Sequence, residues 1–305
     1  MNLSQILIPL YLLISLGLIF KYYHFPNNEF WAGLERLTYY VLFPALLFVA
    51  LVKAPVNVAL LGEIVLVIML PALLIGFTQW LGFFSSSLLP ATFSSMYQGA
   101  VRNNTTMVLV IAPWIVPDKG LSIVAVVILI IVPFNNIVSV LVLNHYGENQ
   151  TGQRVVWWKG IIKNPLIIAC TAGIIVNLLG IRFPLSLLDT ANFLGKSALP
   201  LALLAVGAGL RLGNIFHNKL AISLSSAAKL LLLPTIAWGA CALFNVDTDI
   251  AKIAILYAAI PTATSGFILA RQMGGDAETM AQIITFQTLV AGFTLPIFLA
   301  IAQGY

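Results

Sequence analysis

The sequence predicts an all-α polytopic membrane protein of about ten transmembrane helices, a 5+5 inverted repeat in which helices 4 and 9 are broken and cross. Three observations predict it. Of 305 residues, 60 % are hydrophobic and 8 % charged, and the mean hydropathy of +1.01 lies far outside the ordinary soluble range. Long apolar runs recur along the whole chain, each near the ~20 residues that cross a ~30 Å hydrocarbon core. The two halves also repeat one another. Pro9, Gly17 and Pro44 return as Pro165, Gly173 and Pro200, an offset of about 156 residues. Ala100, Thr106, Ala112 and Asp118 return about 158 residues on as Ala258, Thr264, Ala270 and Asp276, and Asn103 falls on Pro261. Each half holds about five spans, an odd number, so the second copy inserts upside down. Barrel strands would be about half as long and would alternate in polarity.

The first repeat covers 1–144, with spans near 3–21, 31–53, 59–83, 89–115 and 119–144. The first run, Leu3 to Phe20, resembles a signal peptide in length. Its leader carries no Lys or Arg and no small-residue cleavage site follows, so it reads as a retained span. His24 to Asn28, Ser85 to Ser87 and Pro117 to Gly120 punctuate the spans. A hydrophilic connection at 145–159 reads as a hinge loop on the cytoplasmic side. The second repeat, 160–305, carries spans near 160–181, 185–210, 216–244, 250–271 and 277–302, with Gly274 to Asp276 before the last. No soluble domain and no low-complexity tail is expected.

Cation placement sets the expected topology. Loops after the odd-numbered spans hold Lys21, Arg36, Arg154, Lys159, Lys163, Arg211, Lys219 and Arg271. The opposite side holds Lys53, Lys119, Arg182, Lys196 and Lys252. The excess places the odd loops in the cytoplasm and both termini outside. Cations spread over loops suit membrane topology and give no reason to expect nucleic acid as a partner. Cys170 and Cys241 lie within apolar spans without ligand spacing, so neither a disulfide nor a metal is expected, and no cofactor is implied.

Asn103 and Asn104 stand near the middle of the fourth span, a poor place for two adjacent helix-weakening amides. If the helix opens there, a half-helix N-terminus aims N–H groups into a cavity and favours an anion. Pro261 has the same effect in the ninth span, lacking an N–H and clashing with the preceding turn. The plainer reading is a kinked span without ligand; two breaks matching across the repeats favour a site.

Arg102 near the bilayer centre costs at least ~2.5 kcal/mol by insertion scales and so should face protein or water. Its fork suits a carboxylate held bidentately. It also suits a clamp on exposed carbonyls, or snorkelling if the span is shifted by a turn. Lys229, deep in the eighth span, either balances an anion's charge or serves structurally on the carbonyls of a broken helix. All ten Asp and Glu fall near span ends or in loops. The absence of a midplane carboxylate argues against cation transport and a simple carboxylate proton relay. Two deep cations left over favour an anionic substrate. Gln98, Thr105, Thr106, Asn135, Asn136, Thr262, Thr264, Ser265 and Gln287 fill out the candidate cavity, or form interhelical hydrogen bonds worth about 0.6 kcal/mol each. Gly207-Ala-Gly209 with Gly213 reads as close helix packing, since no strand precedes it as a dinucleotide loop would need.

Several motifs resemble the auxin efflux carrier family, which includes the plant PIN carriers and many prokaryotic permeases. Gly99-Ala-Val-Arg102-Asn103-Asn104-Thr105-Thr106 is similar to the family's fourth-span crossover. Ala258-Ala-Ile-Pro261-Thr-Ala-Thr-Ser265, followed by Ala270-Arg-Gln-Met-Gly-Gly-Asp276, is similar to its ninth-span pattern. Leu37 to Phe48 matches the second span and Lys229 to Pro234 the eighth. One departure is that Thr105 to Ile111 has no Gly where members often carry a Gly-rich stretch, although Pro113 follows.

The resemblance implies a bile-acid/sodium symporter-like fold and elevator-type alternating access. Spans 1, 2, 6 and 7 would form a scaffold, with Pro44 and Pro200 bending matching helices. Spans 3–5 and 8–10 would form the transport domain. It implies substrates among organic anions, auxin in plants and malonate, malate and related carboxylates in bacteria, and places Asn135 and Asn136 near the substrate. The short hinge points to a prokaryotic member in an inner membrane, and related folds form homodimers.

The reading is therefore a secondary active transporter, a permease for a small organic anion, with the lipid bilayer as its other partner. The substrate-binding set is Arg102, Asn103, Asn104, Thr105, Asn135, Asn136, Pro261, Thr262, Thr264 and Gln287. The alternative is a non-transporting sensor or receptor on the same fold, which a long soluble appendage would favour. An enzyme is not expected: His24, His145 and His217 fall at loops or span ends, and no His-Glu-x-x-His or Gly-x-Ser-x-Gly occurs.

Overall fold

A computed structural model describes residues 3–53, 59–84, 87–148, 162–181, 183–211 and 218–305, and every regular element among them is helical. The first is α1 (Leu3–Tyr22). α2 (Asn28–Leu37) starts where the Asn27 side chain accepts from the Phe30 amide, satisfying an orphan N–H. It runs through a π-helical turn, Thr38–Leu42, into α3 (Phe43–Val52). Pro44 explains the turn: its ring clashes with the carbonyl four residues back and offers no N–H. The helix widens to a five-residue bond from the Phe43 amide to the Thr38 carbonyl.

α4 (Ala59–Phe84) and α7 (Gly120–Tyr146) are long single helices. Between them α5 (Pro90–Val101) and α6 (Thr105–Ile115) are separated by Arg102 to Asn104. α8 (Pro165–Leu178) is capped by Asn164 and α9 covers Leu185–Ala208. α10 (Lys219–Ala227) passes through a second π turn, Ala228–Leu232, into α11 (Leu233–Phe244), again just before a proline, Pro234. Pro200 sits inside α9 without such a turn. α12 (Thr248–Ala259) and α13 (Ser265–Met273) are separated by Ile260 to Thr264, and α14 (Ala277–Gln303) closes the described chain.

Among the described residues six stretches are long and apolar enough to cross a membrane: Asn28–Val52, Gly62–Phe84, Gly120–Tyr146, Leu185–Ala208, Lys219–Phe244 and Ala277–Gln303. The expected hinge at 145–159 contributes only the end of α7, and 149–161 lies outside the described residues. Arg154, Lys159, Arg182, Gly213 and His217 lie outside them too.

The chain divides into two compact units. The first takes Met1–Gly62, Thr106–Val132 and Lys159–Gly209. Within it α1 packs on α9 through glycines on both helices. A Cβ on Gly17 would meet the Leu204 carbonyl, and one on Gly207 the Ile14 carbonyl. α3 packs on α8 and α9, and the Asn177 amide donates to the Leu51 and Val52 carbonyls at 3.0 and 2.9 Å, capping α3.

The second unit takes Glu63–Thr105, Pro133–Trp158 and Leu210–Tyr305. Its core joins Ile75, Phe93, Met96 and Tyr97 to small residues, Ala221, Ala228, Ala237 and Ala258, so that helices approach closely. Asp276 ties one end of this unit together. It caps α14 by accepting from the Thr279 amide, and its other oxygen accepts from Thr92, Asn218 and Thr279 side chains. Its backbone bonds Ala91 and Ser95.

Candidate functional site

The two interruptions in the second unit lie against one another. The Asn104 amide donates to the Pro261 carbonyl at 2.9 Å, and the Asn103 side-chain amide donates to the Tyr257 carbonyl at 2.5 Å. In return, the Thr262 amide donates to the Gln287 carbonyl oxygen at 3.0 Å, and the Gln287 Nε2 donates to the Gly99 carbonyl at 3.1 Å and to Ser225 Oγ at 3.3 Å. α5 and α12 each end with carbonyls that no helical N–H reaches. Gln287 satisfies the Gly99 carbonyl at the end of α5, and Asn103 the Tyr257 carbonyl near the end of α12. A buried helix end without partners would cost about 1–3 kcal/mol per unsatisfied group.

Arg102 sits at the junction, 9 % exposed. One guanidinium nitrogen donates to Ser139 Oγ at 3.1 Å, and the other to Asn136 Oδ1 and Ser265 Oγ, both at 3.2 Å. These acceptors are side-chain oxygens of α7 and α13, so Arg102 links three elements of the unit. Ser265 is exposed, and Thr105, Asn136 and Thr264 are half-buried. The accessible side of the site is therefore the first residues of α13 with Thr105 and Asn136, and the buried Arg102 guanidinium lies just beneath them, bonded to Asn136 and Ser265. That helix end carries positive dipole charge and has no side-chain cap from Thr264.

The sequence-expected residues separate into two groups. Asn103, Asn104, Pro261, Thr262 and Gln287 are buried and hold the breaks together. Arg102, Thr105, Asn136 and Thr264 reach the accessible side or border it. Asn135 is buried, with its Oδ1 lacking a hydrogen-bond partner. Lys229 lies in the second π turn, 0 % exposed, its Nζ likewise without a partner. Among the described residues the buried charged side chains are Arg102 and Lys229; no Asp or Glu is buried. No cluster of His, Cys, Asp or Glu among them could hold a metal ion.

Sequence reasoning missed Ser139, Ser225 and the Tyr257 and Gly99 carbonyls. Ser139 had a signal: it follows Asn135 and Asn136 at helical spacing, four and three residues on. Ser225 stands four residues before Lys229, by the same rule on one face. The carbonyls carry no side-chain signal at all.

Residues 3–299 match the model of a family described as membrane transport protein. Over 138 residues the chain is 30 % identical to a "Putative malonate transporter" of Rhizobium meliloti (strain 1021). The aligned stretch covers 45 % of this chain and 43 % of that protein, so the match spans less than half the length of the curated relative.

Proposed function

The chain belongs to the membrane transport protein family, the auxin efflux carriers its crossover motifs resemble, and from that premise we propose a secondary active transporter for a small organic anion. It is an integral membrane protein. The observation that carries the anion reading is Arg102, a buried guanidinium between two helix interruptions in a core whose described residues include no buried carboxylate. The α13 N-terminus adds positive potential where Ser265 is exposed. A carboxylate entering there meets the guanidinium, the Asn136 and Thr105 side chains and the positive end of α13. The name of the Rhizobium relative makes malonate the first candidate.

The fold we propose is the ten-span, 5+5 inverted repeat with crossed broken spans 4 and 9. The sequence offsets and the paired interruptions at 102–104 and 260–264 support it. Spans 1, 2, 6 and 7 act as scaffold, while spans 3–5 and 8–10 carry the site across in an elevator-type motion. Cation placement supports a topology with both termini outside, and the short hinge supports a bacterial inner membrane. A homodimer follows from the resemblance.

The test is charge movement from proteoliposomes on a solid-supported membrane, with malonate first in a panel of small organic acids. The expected result is a saturable malonate current whose half-saturating concentration rises by tenfold or more in Arg102→Ala. That is the effect of losing a charge-assisted bond worth about 1.5–3 kcal/mol. A current unchanged in the variant removes Arg102 from the anion path. Absence of current and of radiolabel exchange for every acid in the panel overturns the transporter reading.

A further inference from the structure

We propose that Lys229 is the proton carrier of this transporter: its amine takes up one proton with each anion and releases it with the anion on the other side. The inference rests on the anion-transport reading above. It begins from the amine itself, wholly buried and without a hydrogen-bond partner. An ammonium ion there would bear a desolvation penalty of several kcal/mol with no acceptor to offset it, whereas a neutral amine bears much less. In the proposed cycle the buried amine is the deprotonated partner, and it binds a proton when charge or water reaches it.

Other groups on the packed elements do not offer the same chemistry. The π turn packs against α5, α12 and α14. α5 carries the Tyr97 phenol and leads to Arg102, whose guanidinium is directed to Ser139, Asn136 and Ser265. α12 carries Tyr257, with Asp249 and Lys252 near its start, and α14 carries Glu278 in its first turn. On its own bent helix Lys219 lies at the start of α10 and Cys241 in α11. Arginine stays charged and phenols stay neutral across physiological pH. Asp249, Lys252, Glu278 and Lys219 belong to helix ends. With no buried carboxylate among the described residues, Lys229 is the buried group able to change charge.

Position links it to the cargo. Ser225, one turn earlier, accepts from Gln287, which in turn holds the Thr262 amide at the second break. When the site opens to one aqueous side, the amine lone pair accepts a proton from water. The resulting ammonium offsets the anion's charge in the low-dielectric core. When anion and proton leave on the other side, the free base returns.

The test uses the full chain in proteoliposomes clamped at zero voltage with potassium and valinomycin. Radiolabelled malonate, or the acid of the panel that exchanges, is followed together with internal pH from trapped pyranine. Wild type should move protons with the anion, and one coupled proton multiplies the accumulation ratio by about tenfold per unit of imposed pH difference. Lys229→Met, which keeps length and removes the amine, should lose both proton movement and the response to the gradient, and should exchange anion with a higher half-saturating concentration because the offsetting charge is gone. Lys229→Arg, permanently charged, should lose the gradient response as well.

Exchange without proton movement in wild type overturns the proposal and leaves the transporter reading standing. So does Lys229→Met moving protons at the wild-type ratio. If both variants are monodisperse but exchange nothing, Lys229 is needed for anion passage itself and the coupling role is overturned. Wild type that exchanges no acid defeats the transporter reading, and this proposal with it.

Discussion

Gln287 uses both ends of its side-chain amide inside the fold, one on the Thr262 N–H and the other on the Gly99 carbonyl and Ser225. Gln287→Leu should therefore leave a buried N–H and a buried C=O unsatisfied, at about 1–3 kcal/mol each. The expected outcome is a lower unfolding temperature in detergent, together with weaker anion binding, measured on the same preparation. Asn104 offers a finer test. Its backbone amide makes the bond to Pro261, so Asn104→Ala keeps that tie while Asn104→Pro removes the donor. Anion affinity should fall in both variants, whereas unfolding temperature should drop clearly only in the proline variant. Asn103, Asn104, Pro261 and Gln287 were legible in the sequence as polar or helix-breaking residues inside apolar spans. That Gln287 braces the breaks was not legible, because the two partners at the breaks are a backbone carbonyl and a backbone amide, groups that carry no side-chain signal.

At the scale of elements, four helix starts are fixed by a side chain: Asn27, Asn164, Asp247 and Asp276 each accept from an amide in the first helical turn, and of these Asn27 and Asp276 lie in the punctuation the sequence shows. The π turns did not follow. Pro44, Pro200 and Pro234 look alike in sequence, yet the widened turn occurs before Pro44 and Pro234 and not before Pro200. A proline requires relief of its clash; packing selects whether the helix bends or widens. Asp276 shows how much one cap can hold. Besides the α14 amide it accepts from Thr92 of α5 and from Asn218 just before α10. Asp276→Ala should destabilise the unit by about 3 kcal/mol or more, since each bond to a carboxylate contributes about 1.5–3 kcal/mol. Thermal unfolding followed by fluorescence-detected size exclusion would show it, and an unchanged midpoint would mean that these bonds are replaced by water at no loss.

At the scale of the whole molecule, large apolar side chains stand exposed in both units: Leu185, Leu243 and Phe293 are 78, 77 and 80 % exposed. Such surfaces match a lipid solvent, where close helix contact rather than apolar burial holds helices together. Gly17 and Gly207 are therefore sensitive positions, and Gly207→Leu should push α1 from α9 and lower the yield of monodisperse protein. The proposed topology is tested by a cysteine placed after Tyr305, which a membrane-impermeant maleimide should label in intact cells from outside; labelling only after lysis would reverse the orientation. The mutual capping of the two breaks carries one more consequence. Because Asn103 and Asn104 close the second break and Gln287 holds both, the breaks do not open separately in the proposed transport cycle. A binding site that keeps its shape through the cycle has the same grip on its anion whichever way it faces. Such a carrier has no built-in preference between import and export, and the gradients across the membrane alone set the direction of net flow.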